Sequence, residues 1–186
     1  MAQVKNDIMH KVFRAVNVKA TILQRIIAAR AWFKETGLPW LVLSMVVLIL
    51  DQLSKQWIVH NLAVGESIEL VPFFSLSYTH NYGAAFGMLS HEGGWQRWFF
   101  IVLALSVTLF VMVWLARLSR QERITALGLS LLLGGAMGNL IDRIVYGFVI
   151  DFCHFHIGDW SWYIFNLADV AICFGAMLLL FGGREN

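Results

Sequence analysis

Four aspartates of this chain lie inside or beside apolar stretches, where an ionisable side chain is costly. Asp51 and Asp169 belong to stretches long enough to cross a membrane, Asp142 directly follows another such stretch, and Asp151 follows shortly after Asp142. An acid in such a position is a functional hypothesis by default. Two carboxylates brought together in a poorly hydrated site share one proton, because both cannot ionise there. Such a pair can hydrolyse an amide by general acid–base catalysis.

Amide and guanidinium side chains accompany these aspartates at helical spacing. Asp142 and Arg143 follow Asn139 by three and four residues, and Asp169 follows Asn166 by three. Residues at that spacing share one helix face. The glycines just before Asn139 let neighbouring helices approach closely. We therefore expect these two polar faces to meet around one pocket.

Purely structural roles remain open for several of these charges. Asp51 and Lys55, four residues apart, suit an ion pair that neutralises both charges. Asp142, with a basic neighbour in the sequence, suits an anchor at the membrane interface. Asp159 lies in a Gly-Asp-Trp-Ser-Trp turn and is expected to be a solvated turn residue. Asp169 is different, because its stretch offers no basic residue within a helical turn.

Other chemistries fit the sequence less well. The Cys-His-Phe-His tract at 153–156 resembles a metal site, but on an extended chain its two histidines face away from Asp151. We expect no metal and no cofactor, and we interpret Cys153 and Cys173 as inert thiols. Proton or ion translocation remains an alternative, since intramembrane acids also build relays. Against it, these acids are all expected near one side of the membrane.

The composition is that of an integral membrane protein. Apolar residues make up 59% and charged residues 14% of the 186 residues, against roughly 25% charged residues in soluble domains. One soluble domain of this size has too little interior to hide so much apolar surface. Four stretches approach the roughly 20 residues that a membrane-spanning helix needs. These spans are predicted at about 38–60, 98–116, 124–141 and 162–182.

The segment between the first two spans is apolar but is not expected to cross the membrane. Pro72 and several serines and glycines interrupt it. Its aromatic and serine-containing part, 71–78, is typical of a strand, and 83–89 is typical of a short helix or turn. The prediction is a mainly α integral membrane protein with four transmembrane helices and extramembrane structure between helices 1 and 2.

The distribution of basic residues predicts the orientation in the membrane. Seven of the 14 lysines and arginines lie within residues 1–36, and three lie in the short link 117–123. The positive-inside rule places both termini and this link in the cytoplasm, with the loops 61–97 and 142–161 outside. Residues 1–36 form a basic, partly amphipathic segment that is expected to lie on the cytoplasmic leaflet, attracted to anionic lipid.

The chain resembles the bacterial lipoprotein signal peptidase family, signal peptidase II, from about Leu38 to Phe181. Five blocks carry this resemblance in order: DQLSK at 51–55, NYGAAFG at 81–87, GGAMGNLIDR at 134–143, GFVIDF at 147–152 and FNLADVAI at 165–172. The resemblance implies a four-helix membrane peptidase domain over 37–186. It also implies that the structure between helices 1 and 2 is a small extracytoplasmic β-cradle.

The resemblance further implies an activity and assigns residues to it. The implied protein is an intramembrane aspartyl endopeptidase of the inner membrane, with its active site toward the outer face. It removes the signal peptide from diacylglyceryl-modified prolipoproteins, just before the lipidated cysteine. Asp151 and Asp169 are the implied catalytic dyad. The implied substrate-binding residues are Asn81, Asn139, Arg143 and Asn166, and the implied supporting residues are Asp51, Lys55 and Asp142. The expected partners are this substrate and membrane lipid, with no nucleic acid, and the protein is expected to be monomeric.

Overall fold

The computed structural model describes residues 21–83, 94–158 and 160–182 of the chain. It begins with a helix over 21–35, called the N-terminal helix below, and a short 3-10 turn at Leu38–Trp40. The remaining helices are α1 (Leu41–Asn61), α2 (Trp95–Arg117), α3 (Arg123–Val145) and α4 (Leu167–Phe181). Residues 1–20, nearly all of the predicted helix or turn at 83–89, and Asp159 lie outside the described residues.

Three helical segments of the described chain are long and apolar enough to cross a membrane, namely Leu38–Asn61, Trp95–Arg117 and Arg123–Val145. They confirm the first three predicted spans as apolar helices. The fourth differs from its prediction, because α4 is apolar but has only 15 residues and begins at Leu167 rather than at 162. The Asn166 side chain caps this helix, and residues 162–166 are not helical.

Helix α3 is the centre of the helical layer, because it packs against α1, α2 and α4. Its glycines allow this close packing. A Cβ at Gly135 would collide with the Ala168 carbonyl at the start of α4, and one at Gly138 would collide with the Asp51 carboxylate on α1. The small residues therefore bring together the polar segments of three helices, as the sequence indicates.

A four-stranded antiparallel sheet covers one end of the helices. Its order is β1 (Ser67–Val71), β2 (Phe74–Asn81), β3 (Val149–Ile157) and β4 (Trp160–Ser161). The strand expected at 71–78 is split, since a turn separates β1 from β2. The sheet is also larger than the expected structure between helices 1 and 2, because β3 and β4 come from the connection between α3 and α4. Pairing of β2 with β3 brings these two connections together.

Candidate active site

Asp151 lies on β3 and is almost fully buried, at 2% exposure. Its Oδ2 accepts a hydrogen bond of 2.9 Å from Asn81 Nδ2, and its Oδ1 accepts one of 2.6 Å from Asn166 Nδ2. Asn81 reaches Asp151 because it lies opposite Val149 in the β2–β3 pair, and residues two apart on a strand point to the same face. Sheet pairing therefore delivers one donor, and the start of α4 delivers the other.

Asp169 occupies the first turn of α4, where it closes a capping box with Asn166. The Asn166 Oδ1 accepts a hydrogen bond of 2.9 Å from the Asp169 backbone N–H, and Asp169 Oδ2 accepts one of 3.2 Å from the Asn166 backbone N–H. The other oxygen, Oδ1, accepts a hydrogen bond of 2.8 Å from Asn139 Nδ2 on α3. The spacing of Asn166 and Asp169 is itself a capping-box signal, and this signal predicts the observed start of the helix.

Asn166 connects the two acids directly. Its side-chain NH2 donates to Asp151, and its side-chain carbonyl and backbone N–H complete the capping box around Asp169. Asn166 is fully buried and does not line the cavity described below. The resemblance implies a substrate-binding role for Asn166, whereas the structure directs its polar atoms to the two acids and their surroundings.

A fully buried ionic cluster lies behind the acids and consists of Lys55, Asp51 and Asp142. The Lys55 ammonium is 2.8 Å from Asp51 Oδ2 and 2.8 Å from Asp142 Oδ2, and all three side chains have 0% exposure. The expected Asp51–Lys55 pair is therefore present. Asp142 is not an interface anchor beside Arg143, because consecutive helix residues do not face each other and Asp142 points inward to Lys55.

The two acids of this cluster bind the backbone immediately before each candidate catalytic aspartate. Asp51 Oδ1 accepts a hydrogen bond of 2.9 Å from the Ala168 N–H, one residue before Asp169. Asp142 Oδ2 accepts one of 3.2 Å from the Ile150 N–H, one residue before Asp151. The cluster thus links α1 and α3 to the two segments that carry the acids.

Gln52 also belongs to this cluster, although composition and spacing alone do not identify it as a site residue. Its Nε2 donates a hydrogen bond of 2.9 Å to Asp142 Oδ1 and one of 3.2 Å to the Gly138 carbonyl. Gln52 and Lys55 are three residues apart and therefore share a face of α1. That spacing, together with the acid at position 51, is the sequence signal that could identify Gln52 as a member of the cluster.

Arg143 is buried beside the acids and joins α3 to the end of the β2 segment. Its Nη2 donates a hydrogen bond of 2.8 Å to the Gly83 carbonyl, and its Nη1 donates one of 3.2 Å to the Asn139 carbonyl. The guanidinium carbon also lies 4.9 Å from the centre of the Phe100 ring on α2, within the range of a cation–π contact. These contacts fix the planar group in one orientation.

A cavity of about 830 Å³ opens onto this cluster of polar residues. Its polar lining includes five of the six residues to which the resemblance assigns catalysis or substrate binding: Asn81, Asn139, Arg143, Asp151 and Asp169. Val170, Ile172 and Phe174 of α4 supply apolar lining. Phe174 is 56% exposed on the helix surface, so the cavity reaches the outside of the bundle between α4 and the sheet.

His154 also lines this cavity, although it lies three residues from Asp151 along β3. The cavity extends to Ser161 of β4 and so reaches residues on both faces of β3. His154 Nε2 lies 2.5 Å from Ser161 Oγ, and its Nδ1 lies 3.3 Å from Ser77 Oγ. The pKa of His154 is lowered by burial and by the neighbouring His156, which favours a neutral imidazole.

The environment of Asp151 favours its protonated form. Its pKa is raised to about 7, first by burial and then by the nearby charge of Asp169. The hydrogen bonds from Asn81 and Asn166, and the charge of Lys55, oppose this rise because they stabilise the carboxylate. Burial together with the same two acids raises the pKa of the Cys153 thiol to about 12, which agrees with its interpretation as an inert thiol.

The fold and the site are those of a helical membrane protein with a pair of aspartates at one cavity. Both aspartates are hydrogen-bonded to the same asparagine, Asn166. A family model described as Signal peptidase (SPase) II matches residues 43–183. The lipoprotein signal peptidase of Yersinia enterocolitica serotype O:8 / biotype 1B is 47% identical over 149 residues, which cover 80% of this chain and 88% of that protein. The lipoprotein signal peptidase of Yersinia pestis (strain Pestoides F) is 49% identical over 149 residues, with the same coverage.

Two solved structures, both described as a bacterial membrane enzyme studied by the in meso method, share the fold. One has a TM-score of 0.70 at 29% identity, over 77% of this chain and 86% of that chain. The other has a TM-score of 0.69 at 28% identity, over 80% and 94% respectively. The chain belongs to the signal peptidase II family and is an aspartic peptidase. Its apolar helices and this bacterial family make it a protein of the inner membrane.

Proposed function

We propose that this protein removes the signal peptide from diacylglyceryl-modified prolipoproteins, cleaving just before the lipidated cysteine, with Asp151 and Asp169 as its catalytic dyad. One observation carries the proposal: the two carboxylates line a single cavity and are held by the same side chain, Asn166. The family and its lipoprotein signal peptidase relatives supply the substrate class.

The dyad would work with one proton shared between its members. The pKa of Asp151, raised to about 7, suits it to hold that proton near neutral pH. Asp169, which accepts hydrogen bonds from Asn139 Nδ2 and the Asn166 N–H, is then the ionised member. Two carboxylates in such unequal environments can divide the roles of acid and base.

In the proposed reaction, Asp169 accepts a proton from a water molecule as the water oxygen forms a bond to the scissile carbonyl carbon. Asp151 at the same time gives its proton to the carbonyl oxygen, and a neutral gem-diol results. When the C–N bond breaks, the proton held by Asp169 passes to the leaving nitrogen, and a hydroxyl of the gem-diol returns its proton to Asp151. The products are a signal peptide with a free carboxyl terminus and a lipoprotein whose cysteine has a free amino group.

The cavity has the two kinds of lining that this substrate requires. The acids, Asn81 and Arg143 lie at its polar part, where a peptide backbone needs hydrogen-bonding groups. The apolar side chains of α4 lie on another side, and Phe174 carries that lining to the exposed helix surface. A peptide whose cysteine bears acyl chains could place its backbone at the acids while the chains remain in lipid.

We also propose that α4 is the fourth transmembrane element and that the sheet forms an extracytoplasmic cradle. A helix of 15 residues is about 22 Å long, shorter than the roughly 30 Å hydrocarbon core. The non-helical segment before it can complete the crossing because its backbone is paired at Phe165. The Phe165 N–H donates to the Cys153 carbonyl at 3.0 Å, and the Phe165 carbonyl accepts from the Cys153 N–H at 2.7 Å. Irregular backbone is tolerated at membrane depth where protein satisfies it.

The positive-inside rule supports an orientation with both termini in the cytoplasm and the acids toward the outer face. The exposed tryptophans on the sheet side agree with this orientation, since indoles favour the membrane interface. They are Trp57, Trp95, Trp98, Trp160 and Trp162.

The decisive experiment measures cleavage of a diacylglyceryl-modified prolipoprotein by the detergent-purified protein in the presence of EDTA. We compare the wild type with Asp151→Asn and Asp169→Asn, which replace an acid by an amide of the same shape. Glu69→Gln makes the same replacement on the exposed strand β1 and is the matched control. Melting temperature and gel filtration verify that each variant is folded.

We expect the wild type and Glu69→Gln to cleave despite the chelator and both folded dyad variants to be inactive. Activity in either dyad variant would contradict the assignment of the dyad. No cleavage by the wild type, together with proton flux in liposomes that depends on Asp169, would instead support ion translocation.

A further inference from the structure

The N-terminal helix lies outside the residues matched by the family model, which begin at residue 43. Its side chains from residue 22 to residue 35 are exposed. An isolated helix of about 15 residues is marginal in water. The helix therefore needs a surface on which to bury its apolar residues.

This helix is amphipathic, with positive charge on both sides of its apolar face. Ile22, Ile26, Ala29 and Phe33 follow one another at intervals of four, three and four residues and so form one stripe. On a helical projection, Arg30 and Lys34 fall to one side of the stripe, together with Leu23 and Ile27. Arg25 falls to the other side, together with Trp32. Ala28 and Ala31 lie on the opposite face.

The end of the helix is tied to the α2–α3 connection. The Arg120 N–H donates a hydrogen bond of 3.1 Å to the Glu35 carbonyl, and Thr36 forms a bridge with Ser119. The Gly37 N–H also donates a hydrogen bond of 3.0 Å to the Leu115 carbonyl oxygen, near the end of α2. Because α2 is long enough to cross a membrane, this attachment places the helix where the lipid-covered surface of the bundle ends.

We propose that the N-terminal helix lies on the adjacent leaflet and binds anionic phospholipid. The apolar stripe enters the boundary between headgroups and acyl chains, while Arg25, Arg30 and Lys34 reach the phosphate groups beside it. Basic side chains flanking an apolar face are the pattern of an interfacial helix, and each cation near a negative leaflet adds to binding. The N-terminal helix thus anchors the basic end of the enzyme to the leaflet. This proposal does not depend on the proposed peptidase mechanism.

The test measures hydrogen exchange of the backbone amides 22–34 in the full chain, reconstituted at one protein per nanodisc. One nanodisc contains phosphatidylcholine only, and the other contains phosphatidylcholine with about one-third phosphatidylglycerol. We expect exchange to be slower by roughly tenfold or more in the anionic disc, while exchange of residues 118–122 stays the same. Equal exchange in both lipids would overturn the proposal.

Two sets of variants separate charge from apolar contact. Arg25→Gln/Arg30→Gln/Lys34→Gln should remove the difference between the two lipids. Ile26→Ser/Phe33→Ser should abolish the protection in both, and Ala28→Ser/Ala31→Ser, which places the same residue type on the opposite face, should keep it. If the last pair loses protection as fully as the apolar-face pair, the burial of this stripe is refuted. Protection that appears only with two protein copies per disc would show a contact between copies and would overturn the lipid proposal.

Discussion

The Lys55 ammonium donates a hydrogen bond of 2.9 Å to Asn139 Oδ1. Because an ammonium group can only donate, this contact turns the carbonyl of the Asn139 amide toward Lys55 and its NH2 group away. That NH2 group is the one that lies 2.8 Å from Asp169 Oδ1. A buried lysine on α1 therefore sets the orientation of an amide on α3, which in turn holds a proposed catalytic acid on α4.

Replacing Asn139 by alanine should reduce turnover more than substrate binding. The change removes a hydrogen bond to the ionised Asp169, of a kind worth about 1.5–3 kcal/mol, so we expect kcat to fall roughly ten- to a hundredfold with a small change in KM. Steady-state cleavage kinetics provide the measurement. Ser44→Ala is the control, because it removes a buried hydrogen bond to the Ser130 carbonyl elsewhere in the same bundle. An unchanged kcat for Asn139→Ala would argue against this positioning role.

Lys55→Met should strongly destabilise the protein. The substitution leaves Asp51 and Asp142 buried without their cation, and breaking a buried ion pair costs about 3–5 kcal/mol. We expect a large drop in melting temperature in detergent. Combining Lys55→Met with Asp51→Asn and Asp142→Asn removes the uncompensated charges and should recover much of the stability. If the triple variant melts below the single one, the cost does not come from unpaired charge.

Cleavage activity should decline as the pH rises through about 7, because Asp151 then loses the proton that the proposed mechanism uses. Asn81→Ala removes a hydrogen bond that stabilises the charged form of Asp151. The pKa of Asp151 should rise further in this variant, and the alkaline limb of the pH–activity profile should move to higher pH. Profiles of kcat against pH for both proteins provide the measurement. A limb that moves to lower pH, or does not move, would contradict this account.

Gly138→Ala should damage both stability and activity. The added methyl group would collide with the Asp51 carboxylate, which holds Lys55 and the Ala168 N–H. Overpacking of this kind costs about 1–3 kcal/mol, and the shift should also reach the start of α4. Ala136→Ser, which adds one heavy atom at a partly buried position of the same helix, should have a smaller effect on melting temperature and cleavage. Equal effects would mean that the close approach to Asp51 is not the cause.

Much of the helical layer could be predicted from the sequence. Apolar stretches of the right length identify the first three helices, and spacing by three and four residues places Asn139 and Arg143 on one face of α3. Apolar composition alone misplaces the start of α4, because it extends the helix to residue 162. The helix begins only after Asn166, because the Asn166 side chain caps it through a hydrogen bond to the backbone.

The residue types, their periodicity and the family blocks by themselves determined that this is a membrane protein and indicated most of the polar residues of its candidate site. Only the tertiary structure decided which of those residues bind one another. Asp142 pairs with Lys55 on another helix, and Asp51 accepts a hydrogen bond from the Ala168 N–H, which is 117 residues away. Composition and helical spacing express preferences over a few residues. The choice of partner depends on which helix faces meet in the bundle, because a buried charge is costly unless it finds a partner there.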